Sequence, residues 1–337
     1  MEQSTELPPW LQPQWLQLRQ LNQSQRLPHA LLLCGASGVG KSNFAFKLAA
    51  SLLCTSNDDV PCGVCKSCRL FVAETHPDFK RAQPDEGSKV IKVDAVRSVS
   101  EFIAHSSQVS GRKVVLITPA ECLNVNASNA LLKTLEEPTD NSTLILVCNS
   151  LGDLLPTIRS RCSLVDFKVP TVEQTTAWLQ QQGDGSWSDA LIDSALQLSG
   201  GAPYKARSYL ETNVMGELEQ MQKDLAEVLR KAKSVSSLAA TWADDIIGER
   251  LCWLLFWVEQ LIRQRLHPEL DWAGQQAAAK MFSYLVEHND AQAFFMLRQQ
   301  LLSAVKQIKG NANPNKQLVL ESVLGLWLGL VNTKKVA

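Results

Sequence analysis

"GASGVGKS", residues 35–42, follows the apolar run Ala30-Leu31-Leu32-Leu33-Cys34 and precedes "NFAFKLAASLLC" (43–54). A short apolar run, a glycine loop and a helix-forming stretch spell strand, loop, helix. Glycine, four residues, then Gly-Lys-Ser is the pattern of a phosphate-binding loop. Gly35, Gly38 and Gly40 let backbone N–H groups turn toward phosphate oxygens. The helix N-terminus that follows adds a favourable dipole. Lys41 is placed to reach the terminal phosphates, and the Ser42 hydroxyl to help hold Mg²⁺. The plain alternative is a glycine turn between a strand and a helix.

Working outward, further apolar runs predict strands at 88–94 ("SKVIKVD"), 112–119 ("RKVVLITP"), 142–149 ("STLILVCN") and 162–167 ("CSLVDF"). They alternate with helical stretches up to about Phe167. Runs rich in Val, Ile and Leu on both faces suit buried parallel strands, so a helix-covered parallel α/β sheet is expected. After Pro170 the strands stop. Three short helices are predicted within 171–211, and long amphipathic helices follow from about Val214, broken near Pro268 and at "GNANPN" (310–315). The expected division is an α/β domain over 1–168, a small helical domain over 169–212 and a larger helical domain over 213–337.

The 337 residues suffice for two or three domains. With 33 basic and 34 acidic residues, the charge balance carries no footprint of strong autonomous nucleic-acid binding. The opening "MEQSTELPPWLQPQWL" lacks the basic start and apolar core of a secretory signal. The runs "LCWLLFWV" (251–258) and "VLGLWLGLV" (323–331) are too short to span a bilayer and read as core helices. Nine cysteines without a signal suit a reducing compartment, and a cytoplasmic location is expected.

Four of those cysteines cluster in "CTSNDDVPCGVCKSC" (54–68). Cys54, Cys62, Cys65 and Cys68 have the spacing to close a tetrahedral thiolate shell, as structural zinc requires. An iron–sulfur cluster and four unligated thiols are the alternatives. The remaining five, Cys34, Cys122, Cys148, Cys162 and Cys252, sit in apolar runs and read as core residues. His76 follows closely and is a possible substitute ligand, although four thiols already suffice.

An active phosphate-loop enzyme needs an acid at the end of a second strand, to hold Mg²⁺. The strand "KVVLI" runs instead into Thr118 and Pro119. Glu121 comes two or three residues late and is expected to point elsewhere. Asp94 reads as the N-cap of the next helix. ATP or ADP binding therefore stays open, Mg²⁺ lacks its carboxylate, and hydrolysis is not expected.

"THPDF" (75–79), "NALLKTLEEP" (129–138) and "TIRSRC" (157–162), with the four-cysteine insert, resemble bacterial DNA polymerase III clamp-loader subunits of the AAA+ class. The missing acids favour the delta-prime type over the ATPase subunits, gamma or tau, which remain the alternative. These motifs lie within residues 1 to about 210; beyond them only length and helical character match. The resemblance implies an AAA+ domain, a helical lid and a helical collar. It implies gamma/tau and delta subunits, a sliding clamp and primed DNA as partners, and no membrane. It also implies a stator that lends an arginine finger to a neighbour's ATP site. Arg161 of "SRC" is the expected finger, projecting toward the partner, with Arg159 beside it. Where active relatives carry a nucleotide-sensing arginine in the lid, "GAPYKA" (201–206) has Tyr204, with Lys205 turned about 100° away.

Overall fold

The computed structural model describes residues 7–56, 60–183, 185–212, 214–270, 272, 278–310 and 314–332. Residues 57–59 of the cysteine insert, the expected domain boundary at 213 and the middle of the break at 310–315 lie outside them. The chain forms two compact units, 1–210 and 211–337.

The first unit opens with α1 (Gln12–Gln23) and β1 (Ala30–Gly35). The phosphate-loop segment then leads into α2 (Lys41–Leu53), and the cysteine insert into α3 (Lys66–Val72). Strands β2 (Phe79–Ala82), β3 (Lys113–Ile117), β4 (Ser142–Cys148) and β5 (Ser163–Phe167) follow. Between them lie α4 (Val93–Ala104), α5 (Val125–Glu136) and the one-turn α6 (Pro156–Arg159). All strand pairs are parallel, in the order β2-β3-β4-β1-β5.

The side-chain period of two explains the three layers. Leu31, Leu33, Val114, Leu116, Ile145 and Val147 face α1 and α2, packing on Trp15, Phe44 and Leu48. Leu32, Cys34, Val115, Ile117, Leu144, Leu146 and Cys148 face the other way, onto Val96, Val99 and Ile103 of α4 and Leu131 and Leu135 of α5. Both faces of β1, β3 and β4 are buried, as their unbroken apolar runs require. Of the five cysteines read as core, Cys34 and Cys148 are buried, while Cys122, Cys162 and Cys252 are only half-buried.

One expected strand is corrected. Residues 88–94 form no strand: Ile91 makes a single bridge to Leu123, and α4 begins at Val93. The sheet's outer strand is instead "FKRA", with Phe79 to Ala82 paired to Val114 to Ile117. Asp94 is likewise not the cap. Lys92 occupies that position, and Asp94 sits in the first turn, paired with Arg97 at 3.2 Å, where a carboxylate still suits the helix dipole.

Helices α7 (Val172–Gln182), α8 (Asp189–Leu198) and α9 (Pro203–Glu211) follow β5. Thr171 and Gln174 form a reciprocal capping box at the start of α7. The second unit is helical: α10 (Val214–Leu229), α11 (Val235–Trp242), α12 (Ile247–Leu266), α13 (Ala279–His288), α14 (Ala291–Lys309) and α15 (Lys316–Asn332). Its core holds Trp257, Phe282, Phe294 and Trp327, all fully buried. The two apolar runs lie inside α12 and α15, and among the described residues no helix is long and apolar enough to cross a membrane.

Candidate functional site

The phosphate-loop segment leaves the sheet where the strand order reverses, between β1 and its neighbours β4 and β5. Open α/β sheets bind ligands at that switch point, outside the carboxyl ends of the strands. A cleft of about 310 Å³ lies there, lined by Ser37, Gly38, Gly40, Lys41, Ser42 and Asn43. The ends of β3 and β4 add Thr118, Pro119, Val147 and Asn149, and α9 adds Tyr204. Gly35 allows the strand to leave the sheet: a Cβ there would lie 2.1 Å from the Phe167 carbonyl oxygen.

Lys41 is buried, and its three donors are all engaged. Nζ donates to the Gly35 and Ala36 carbonyls, each at 2.7 Å, and to Asn149 Oδ1 at 3.0 Å. Burial lowers its pKa, while the Glu121 carboxylate acts in the opposite sense. Asn149 in turn donates its backbone N–H and its Nδ2 to Glu121 Oε1, at 3.1 and 2.7 Å. Glu121 therefore does not point away from the loop, as its late position suggested. It serves Lys41 through Asn149. No carboxylate lines the cleft among the described residues, and Thr118 and Pro119 stand at the end of β3.

Tyr204 covers the loop. Its N–H donates to the Gly38 carbonyl at 2.9 Å, and its ring lies so close to Gly40 that a Cβ there would meet Cε2 at 2.6 Å. Gly40 has a φ of 106°, a second reason for glycine. Tyr204 packs on Trp178 with ring centroids 5.0 Å apart, and Trp178 on Trp10 at 5.3 Å. Trp10 Nε1 donates to the Val39 carbonyl at 3.0 Å.

In the insert, the Sγ atoms of Cys54, Cys62, Cys65 and Cys68 lie within 4.8 Å of one another. Cys54 and Cys65 are 3.9 Å apart, and Cys62 and Cys68 4.0 Å. Around one tetrahedral ion with bonds of about 2.3 Å, sulfurs stand about 3.8 Å apart, so the cluster fits a single metal ion. The cysteines are unpaired by disulfides. Cys65 N–H donates to Cys62 Sγ and Cys68 N–H to Cys65 Sγ, at 3.4 and 3.3 Å. At Cys65, burial opposes the thiolate, but donors from Thr55 and Cys68 outweigh it and bring the pKa to about 5. Burial pushes Cys68 up to about 12, so its ionisation needs a cation's field.

His76 is no ligand. Its Nδ1 accepts from the Asp78 N–H at 3.0 Å, so Nε2 carries the proton and meets Ser67 Oγ at 2.7 Å. Ser67 Oγ donates onward to the Leu53 carbonyl at 2.5 Å.

The "SRC" turn joins α6 to β5. Arg161 does not project freely. Its Nε donates to Glu136 Oε1 at 2.8 Å, and Nη2 lies 2.6 Å from the same oxygen. Nη1 donates to the Thr157 carbonyl at 3.0 Å and to Ser160 Oγ at 3.2 Å. About a third of the side chain remains exposed. Arg159 Nη1 bonds the Leu151 carbonyl at 3.2 Å.

The family described as DNA polymerase III, delta subunit, matches residues 11–171, and its C-terminal counterpart matches 215–328. The DNA polymerase III subunit delta' of Pseudomonas aeruginosa is 35% identical over 323 residues, 96% of this chain and 97% of that one. The chain belongs to the delta-prime subunit family of DNA polymerase III. Within that family, the delta' subunit of Escherichia coli is 36% identical over 73% of each chain. Among solved structures, a DNA polymerase III gamma subunit-related protein of Thermotoga maritima covers 94% of this chain and 99% of its own, with a TM-score of 0.43 and 16% identity.

Against the delta-prime motifs, the structure adds partners that the sequence did not pick out. "THPDF" supplies His76 and the buried Asp78, both structural. "LEEP" supplies Glu136 as the partner of Arg161. Asn149 and Tyr204 join the phosphate loop from 108 and 166 residues away along the chain, counted from Lys41 and Gly38; only the resemblance draws attention to Tyr204, and nothing local announces Asn149.

Proposed function

We propose that this chain acts as the stator of a DNA polymerase III clamp loader. It works beside gamma/tau and delta subunits, in the reducing cytoplasm, to help place a sliding clamp on primed DNA. The lid is assigned to 169–212 and the collar to 213–337. The observation that carries the reading is the cleft: a complete glycine loop and Lys41, with no lining carboxylate among the described residues. Gly35, Gly38, Gly40, Lys41 and Ser42 hold the phosphates of ATP or ADP if nucleotide binds, and Lys41 must first exchange its carbonyl partners. Hydrolysis needs a metal-bound carboxylate that the cleft does not offer. Cys54, Cys62, Cys65 and Cys68 hold one structural zinc ion, a role favoured by sulfur spacing and by the absence of an open coordination position.

The catalytic contribution is made in trans. Arg161 presents a fixed positive charge to the γ-phosphate in the neighbouring subunit's site, where negative charge builds during phosphoryl transfer. The test is steady-state ATP turnover by the isolated chain and by the reconstituted loader with clamp and primed DNA. The isolated chain should not turn over ATP. Arg161→Ala should leave folding and assembly intact and lower loader turnover, with on the order of a 10³-fold effect at the one site served and a smaller effect in bulk. Arg159→Ala is the control and should do much less. Turnover by the lone chain, abolished by Lys41→Ala, would instead make it an ATPase of the gamma/tau type.

A further inference from the structure

An arginine on a surface turn samples many rotamers, and a catalytic arginine must not. Arg161 has five N–H groups. One at Nε, two at Nη1 and one at Nη2 engage within the chain, leaving one N–H on Nη2 outside these contacts. The turn supplies part of the cradle: Ser160 Oγ donates to the Thr157 carbonyl while accepting from Nη1. The only charged member is Glu136.

Glu136 is the last residue of α5, followed by Glu137 and Pro138. A carboxylate at a helix C-terminus opposes the helix dipole. A neighbouring guanidinium offsets that cost, and Arg161 is the cation held there. Glu136 is itself half-exposed, so the pair lies at the surface and not in the core. Nε and Nη2 meet one oxygen of Glu136 on one edge while Nη1 holds the Thr157 carbonyl and Ser160 Oγ on the other, and together these contacts fix the plane of the guanidinium as well as its position.

We propose that Glu136 is a positioning residue for Arg161. It holds the guanidinium plane fixed in the free subunit, so that the remaining Nη2 edge meets the neighbour's γ-phosphate oxygens without a rotamer search. This rests on the reading of Arg161 as a finger in trans. The paired carboxylate touches no nucleotide and acts only through the arginine.

The test uses the full chain reconstituted with its partner subunits, clamp and primed DNA. Glu136→Ala should lower the rate at the one site served about three- to tenfold, the scale expected for freeing one long side chain, with a smaller fall in the loader's kcat that does not exceed that of Arg161→Ala, and leave KM for ATP unchanged. Glu136→Gln keeps an acceptor oxygen in the same place and should recover most of that loss. In an Arg161→Ala background, Glu136→Ala should cause no further change. Full activity of Glu136→Ala, in a series where Arg161→Ala is impaired, would overturn the positioning role and leave the finger standing. A Glu136→Ala loss that persists without Arg161 would assign Glu136 a merely structural part. Full activity of Arg161→Ala would remove both.

Discussion

Asp78 shows how much a single buried carboxylate can organise. It is fully buried, yet Oδ1 accepts from the Gln108 N–H, and Oδ2 from the Val109 and Ser110 N–H groups and Ser110 Oγ, at 2.7–3.0 Å. Burial alone would raise its pKa; the donors outweigh burial and hold it below the usual carboxylate range. Because the folded-state pKa is depressed, the contribution is complete above the unfolded value, about 4, and fades as pH falls through the folded value. Asp78→Asn turns an amide toward those donors and should cost about 2–4 kcal/mol at pH 7. Urea midpoints for both proteins should stay apart above about pH 4 and draw together as the pH is lowered from there through the depressed folded value. A gap that stays constant over that range would mean the carboxylate's charge is not what stabilises the loop.

At the scale of elements, the cysteine insert and its helix form the clearest case. Cys65 caps α3 through its sulfur, so it is at once a proposed ligand and a helix terminus. Cys65→Ser should release the zinc, measured by elemental analysis, and speed amide exchange through α3 while the strands keep their protection. Iron in the wild-type protein, or less than about a tenth of an equivalent of zinc, would overturn the zinc site, because thiolate sites hold zinc tightly at neutral pH. This insert was legible because knuckle spacing is local, as were β1, β3 and β4, whose apolar runs have few other meanings. The strand β2 was not. "FKRA" has two cations in four residues, and it forms because Lys80 reaches the Ser98 carbonyl at 3.0 Å while Arg81 stacks on Phe46 at 4.9 Å. "KVIKVD" looked more strand-like, but α4 claims its end from Val93. Asp94 missed its cap role by the same two-residue shift of the helix start. The phosphate loop could be read by itself; the residues that meet it from Asn149, Glu121 and Tyr204 are brought there only by the tertiary fold.

At the scale of the whole molecule, each unit has its own apolar core, one built on a sheet and one on helices. Trp327 is fully buried in the second, and its Nε1 donates to the Leu225 carbonyl of α10 at 3.4 Å. Trp327→Ala should cost about 3–5 kcal/mol. Hydrogen exchange should quicken in α10, α11 and α15 while β1, β3 and β4 stay protected. Uniform acceleration along the chain would show the two cores melting as one. The sheet of the first unit is open, and an open sheet has two rims at which a foreign strand can add. One rim is β2, only four residues long and carrying Lys80 and Arg81. The other is β5, where Gln14 Nε2 already occupies the Asp166 carbonyl at 3.0 Å. Brevity and charge guard the first rim, and a borrowed side-chain amide guards the second. A copy of this chain is thus poorly suited to pairing with another copy edge to edge, because neither rim offers a long, bare run of strand backbone.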